Sequence, residues 1–290
     1  MIKLIASDLD GTLLKEDGSI STATVEAIRK AEASGILFMA ATGRSYLSAK
    51  KAIEKAGLNV PILCMNGANV YDEHHQRIID TPLHPEMAKE IIEKVDTNKV
   101  YLEMYTNKGV FAPDQAQFID MLLNILREKF IDYTDEQIKA YIDQRFQEET
   151  FSFTDDFLSV LNDDAIIPYK LLAFSLKKSE LAAIRSIFDG RKDLYVTSSG
   201  FDNVEFNHHE ATKGHALLTY AKKLGIKPEE IMAIGDNEND LPMLTKVGYG
   251  VAMDNATDYI KSHVDYTTTS NNKDGVKSAI EMALAINEKN

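Results

Sequence analysis

Short apolar runs alternate with amphipathic stretches over residues 1–82, and again from about residue 200 to residue 290. Residues 4–7, 36–41, 61–65, 231–234, 249–253 and 265–268 read as strands. Most are apolar throughout, the habit of a strand covered on both faces in a parallel sheet. Between them lie helical patterns. Val25, Ile28 and Ala31 follow helical spacing behind a Ser21 or Thr22 cap and stop at Gly35. Ser45 opens a second helix that Gly57 closes, and Thr212 caps a third that runs through Ala216, Leu217 and Tyr220 to Gly225. Residues 276–286 read as a closing helix. Strand and helix in regular alternation with short joints predict an α/β fold, a doubly wound, Rossmann-like parallel sheet.

The rhythm changes over residues 83–199. A helix at 84–97 is followed by a strand at 100–105 with a turn at Asn107-Lys108-Gly109. Residues 115–161 read as a long acidic helical region carrying Phe118, Phe130, Tyr133, Tyr141 and Phe146. Strands at 170–176 and 194–198 flank a helix at 180–188. Mixed elements in this order predict a small α+β domain, a cap, inserted into the first domain. The core is then expected at 1–82 and 200–290. The aromatic residues of the long helical region are assigned to packing.

A net charge of −13 argues against a nucleic-acid groove, because phosphate backbones reward clustered Lys and Arg. No apolar run reaches spanning length, so no membrane is expected as a partner. Residue 1 leads straight into a strand pattern without signal-peptide anatomy, and the single Cys64, among apolar neighbours, cannot form an internal disulfide. A cytoplasmic enzyme is expected, as a monomer or weak homo-oligomer. An acidic protein that binds phosphate has to concentrate positive charge locally.

The candidate chemistry starts where the first strand ends, at Asp8-Leu9-Asp10-Gly11-Thr12. Ligands of doubly wound sheets bind at the carboxyl ends of the strands. Two carboxylates two residues apart at such an edge repel each other, which favours a shared cation or proton. Further along the chain stand Thr42-Gly43-Arg44, Lys213-Gly214 and Gly235-Asp236-Asn237-Glu238-Asn239-Asp240. Each is a weak signal alone. In this order they closely resemble the four motifs of the haloacid dehalogenase-like (HAD) phosphohydrolases, most of all the Cof-type group with its large C2-type cap between the second and third motifs.

The resemblance implies a phosphatase of small phosphorylated metabolites such as a sugar phosphate, a polyol phosphate or flavin mononucleotide. Asp8 would be the nucleophile that forms an aspartyl-phosphate, and Asp10 the general acid and base. Asp8, Asp10 (through its backbone carbonyl) and Asp236 would hold a cation, and an all-oxygen donor set points to Mg²⁺. Leu9, Thr42, Gly43, Lys213 and Asn239 would surround the phosphate, with Asp240 in support of Lys213 or a metal-bound water. Arg44 and Asn66 are candidate substrate contacts. A phosphomutase shares the covalent intermediate, and a catalytically silent scaffold that binds a phosphorylated ligand or a protein partner is the alternative from another class. The pairs His74-His75 and His208-His209 are read as structural, because neighbours in an extended segment point to opposite sides.

Overall fold

The computed structural model describes residues 1–113, 116, 119–120, 123–124, 134–200 and 202–289. The chain divides into two compact units. One comprises Met1–Thr81 and Glu210–Asn290, the other Pro82–His209.

The first unit is built on β1 (Leu4–Ser7), β2 (Leu37–Ala41), β3 (Ile62–Cys64), β4 (Asn69–Tyr71), β5 (Arg77–Asp80), β12 (Ile231–Gly235), β13 (Tyr249–Ala252) and β14 (Tyr266–Thr267). They form one sheet in the order β14-β13-β12-β1-β2-β3-β4-β5. From β14 to β3 every pairing is parallel, as the apolar runs predict, with β1 between β12 and β2. β4 and β5 add an antiparallel hairpin at one edge. The predicted strands hold to within a residue or two. All four residues of β1 are buried, and alternation sends Leu4 and Ala6 to one face and Ile5 to the other. Burying a Leu or Ile side chain contributes about 1.5–3 kcal/mol, so each such strand is strongly fixed in register.

Helices clothe the two faces of this sheet. α1 (Thr22–Ala33) is capped by Ser21, whose hydroxyl accepts the Thr24 N–H, and α1 lies against β2. The final helix, Gly275–Glu288, packs against β12 and α1. On the opposite face the helix Lys213–Lys223 places Ala216, Leu217, Tyr220 and Ala221 over Leu4, Met39, Leu63 and Ala233.

The second unit contains β6 (Tyr101–Thr106), β7 (Gly109–Ala112), β8 (Phe151–Phe153), β9 (Pro168–Phe174), β10 (Leu194–Thr197) and β11 (Asn203–His208), in the order β10-β11-β9-β6-β7-β8. Pairings are antiparallel except β7 with β8. One face carries Leu102, Met104, Leu171, Ala173 and Phe206, packed with residues of the helices Pro85–Lys94 and Lys178–Ile187. The other carries a buried ion pair, Lys170 Nζ to Glu205 Oε1 at 3.1 Å.

Two expectations change here. β11 belongs to this second sheet, so the unit ends at His209, about ten residues beyond the expected boundary at 199. The region 115–161 is not helical throughout, since it contains the strand Phe151–Phe153 beside the helices Asp135–Glu148 and Phe157–Val160. The Phe146 ring packs 5.3 Å from that of Phe151, in keeping with a packing role. Phe118, Phe130 and Tyr133 lie outside the described residues, as does the side chain of Tyr141.

Candidate active site

Asp8 follows β1 directly, and its N–H continues the ladder by donating to Ile234 O at 2.9 Å. That register sets Asp8 beside the end of β12, from which Asp236 emerges. Past Asp8 the chain turns tightly, with Leu13 N–H on Asp8 O at 3.1 Å and Leu14 N–H on Leu9 O at 2.8 Å. Gly11 makes this turn with φ +77°, and a side chain there would run into the Asp236 carboxylate. Leu9 sends its side chain into the core and leaves its backbone between the two carboxylates.

Lys213 is the first residue of the helix Lys213–Lys223, whose Thr212 cap accepts the His215 N–H. Its side chain is completely buried. The ammonium donates to Asp8 Oδ1 and Asp240 Oδ1, both at 2.6 Å. Both Asp240 oxygens are in use, since its Oδ2 accepts the N–H groups of Asp236 and Asn237 at 2.9 and 3.0 Å. It holds Lys213 in place and shapes the turn after β12.

Carboxylate oxygens of Asp8, Asp236 and Asp240 lie within 4.8 Å of one another, and in this cluster they face one ammonium. The electrostatic consequence follows from that excess of negative charge. Burial, then repulsion from Asp240 and from Asp236, pushes the Asp8 carboxyl well above the usual carboxylate range against the pull of Lys213. Burial and Asp240 push Asp236 up to about 7. Burial opposes the charge on Lys213, but Asp240 and Asp8 outweigh it and hold the ammonium above the ordinary lysine range. The donor set is all oxygen, crowded and under-compensated, which fits a hard divalent cation. Asp8 Oδ2 and the Asp236 carboxylate would hold such an ion. Asp240, with Oδ1 on Lys213 and Oδ2 on two backbone N–H groups, is committed to the ammonium and the turn.

Asp10 points elsewhere. Its carboxylate is gripped by the Arg44 guanidinium, with Nε on Oδ2 at 2.8 Å and a terminal nitrogen on Oδ1 at 2.6 Å. Arg44 is thus a partner of Asp10 rather than an idle loop residue. Thr42, at the end of β2, is buried, and its Oγ1 accepts the Arg44 N–H at 3.1 Å, with Gly43 in the bend between them. Asn66 is buried at φ 60° in the turn after β3. Its N–H donates to Thr42 O at 3.0 Å and its Oδ1 accepts Asn239 Nδ2 at 3.2 Å. Asn66 therefore supports Asn239 and the Thr42 loop. All the candidate residues gather at the carboxyl ends of β1, β2, β3 and β12 or at the start of the helix on Lys213.

Two side chains touch Asp236 that the motifs assign no role. Thr12 Oγ1 donates to Asp236 Oδ1 at 2.9 Å, and Asn255 Nδ2 approaches Oδ2 at 3.4 Å. Thr12 stands inside the first motif, where a hydroxyl beside two carboxylates is a visible signal. Asn255 stands after Asp254 in what reads as an ordinary polar turn.

The histidine pairs divide. His74-His75 occupies the β4–β5 hairpin turn, closed by the N–H groups of His74 and Gln76 on Asp72 Oδ1 at 3.0 and 2.8 Å. The argument from opposite directions fails for His208-His209, whose ring centroids are 4.3 Å apart. His208 ends β11, so the alternation of an extended strand no longer separates the two rings.

The model for the haloacid dehalogenase-like hydrolase family matches residues 5–280. The chain is 31% identical to the phosphatase YwpJ of Bacillus subtilis over 98% of this chain and 100% of that protein. It is 32% identical to the 5-amino-6-(5-phospho-D-ribitylamino)uracil phosphatase YwtE of the same organism, over 98% and 99%. A solved haloacid dehalogenase-like hydrolase from B. subtilis superposes with a TM-score of 0.88 at 30% identity, covering 97% of this chain and 99% of that one. With the motifs assembled at one strand edge and a family match over nearly its full length, the chain belongs to the haloacid dehalogenase-like hydrolases.

Proposed function

We propose that this phosphatase hydrolyses small phosphorylated metabolites with Mg²⁺ and through an aspartyl-phosphate on Asp8. The observation that carries the reading is the group of the buried Asp8, Lys213 and Asp240 with the half-buried Asp236, in which one ammonium faces three carboxylates. Relatives named for 5-amino-6-(5-phospho-D-ribitylamino)uracil support a phosphorylated polyol chain among the substrate classes.

In this reading Asp8 attacks phosphorus, and the bond from phosphorus to the leaving oxygen breaks as the Asp8–phosphorus bond forms. Asp10 gives the departing alkoxide its proton, then takes one from the water that cleaves the aspartyl-phosphate and frees Asp8. Because Arg44 spans both Asp10 oxygens, one oxygen has to leave that grip to reach the leaving group. Lys213 stays on Asp8 and steadies the charge that collects on the transferring phosphoryl group. Asn239, braced by Asn66, and the Thr42 hydroxyl supply neutral donors beside it. A bound Mg²⁺, held by Asp8, Asp236 and the Asp10 carbonyl, would draw charge from the phosphoryl oxygens and lower the repulsion the nucleophile meets.

The test is phosphate release across a panel of sugar, polyol and flavin phosphates, with MgCl₂ and with excess chelator. Turnover that requires the metal is expected. Undiminished turnover in chelator would overturn the cation role, and phosphate returned to a sugar instead of to water would replace hydrolysis with a mutase reaction.

A further inference from the structure

The turn after β13 reaches back to the opposite end of the sequence. Met253 N–H donates to Gly235 O at 3.0 Å, which fastens this turn to the strand that delivers Asp236. From it the Asn255 side chain makes three contacts. Its Nδ2 donates to Gly11 O at 2.8 Å and approaches Asp236 Oδ2 at 3.4 Å. Its Oδ1 accepts the Asn271 N–H at 3.1 Å, and Asn271 Nδ2 in turn donates to Leu14 O at 3.0 Å. The amide can be oriented only one way, since a carbonyl oxygen must face a donor and an N–H₂ must face an acceptor.

Asp236 therefore receives one donor on each oxygen, Thr12 on Oδ1 and Asn255 on Oδ2. Two donors from opposite sides fix the rotation of the carboxylate. Each oxygen keeps a second lone-pair direction for another partner. The same Asn255 amide pins Gly11 O in the turn between Asp10 and Thr12, where the first motif has to hold its shape.

We propose that Asn255 is a positioning residue for the divalent cation: its amide sets the Asp236 carboxylate and the Gly11 turn in the arrangement the ion needs. The inference rests on the cation reading above. It goes beyond it in assigning part of the cation affinity to a residue outside the four motifs. Groups that orient metal ligands in this way typically contribute about 10–100-fold in metal affinity or activity. Asn255 is exposed, so its loss leaves the apolar core untouched.

The test compares the full chain with Asn255→Ala and with Asn255→Leu, which keeps the bulk and removes the amide. Equilibrium dialysis against MgCl₂ without substrate gives the dissociation constant directly. Phosphate release titrated with MgCl₂, and melting in chelator, complete the set. Both variants are expected to bind Mg²⁺ about 10–100-fold more weakly. Their kcat should approach the parent's at saturating MgCl₂, and in chelator they should melt no more than a few degrees below the parent, as loss of the hydrogen bonds to Gly11 and Asn271 requires. Mg²⁺ binding equal to the parent's would overturn the role of Asn255 alone, as would a fall in kcat that added MgCl₂ does not restore. A parent that binds no Mg²⁺ would overturn this inference together with the cation reading on which it rests.

Discussion

Replacing Lys213 by Met would expose what holds the acidic cluster together. The change removes an ammonium with no solvent exposure, bonded at 2.6 Å to both Asp8 and Asp240, and keeps an unbranched side chain of similar length. Removing one partner of a buried ion pair costs about 3–5 kcal/mol, because the charge left behind has no counter-ion. For a unit of this size that corresponds to a fall in melting temperature of about 6–20 °C. The sign of its pH dependence also follows. Asp8 already sits above the ordinary carboxylate range, and without the ammonium it rises further. Protonation then relieves the variant at low pH, recovering about 1.4 kcal/mol per pH unit for each carboxyl that takes up a proton. Scanning calorimetry of parent and variant at pH 8 and pH 5, in chelator, reads this directly. The deficit should be large at pH 8 and should narrow at pH 5. A variant that melts with the parent at pH 8, or a deficit indifferent to pH, would refute the reasoning that Lys213 is the counter-charge of the cluster.

Other outcomes follow from the same geometry. In metal-free protein, Asp236 binds its proton up to about pH 7 when folded and only to about pH 4 when unfolded. The folded state therefore holds more protons between those limits. Stability in chelator should fall as pH rises from about 4 to 7, and MgCl₂ should reverse the fall in thermal melts; a flat profile would contradict the raised Asp236. Asp10→Asn should lower turnover of a sugar phosphate by about 10²–10⁴-fold, and an aryl phosphate less, because its leaving group needs no proton. Equal losses for both substrates in phosphate-release assays would count against Asp10 as the acid. Gly67→Ala should destabilise the first unit by about 1–3 kcal/mol, since Gly67 has φ +108° and an added Cβ would lie 2.5 Å from Thr212 O. Urea melts that match the parent would contradict that close approach.

The parallel part of the core sheet was legible because most of its strands are apolar runs and its helices carry polar caps at Ser21, Ser45 and Thr212, whereas the edge hairpin β4–β5, polar at Asn69, Arg77 and Asp80, gave no such run. The motifs were legible for the same reason, since each sits where such a strand ends or such a helix begins. β11 was harder. It alternates Val204 and Phe206 with Glu205 and Asn207, and the buried Glu205–Lys170 pair joins strands 35 residues apart. Nothing local distinguishes that pattern from a solvent-facing strand at the edge of the core. The grip of Arg44 on Asp10 was open in the sequence, because a loop arginine can face substrate or carboxylate with equal ease. Asn255 was invisible, because its value comes from a carbonyl 244 positions away.

The central claim is that Asp8 carries the phosphoryl group, and covalent capture tests it most directly. Asp10→Asn keeps the nucleophile while removing the base for the second step, so with Mg²⁺ and an aryl phosphate the intermediate should accumulate. Mass spectrometry of acid-quenched protein should then find one phosphate on the peptide that contains Asp8, and none when Asp8→Asn is added. Phosphate on another residue, or an Asp8→Asn enzyme that turns over like the parent, would contradict the account.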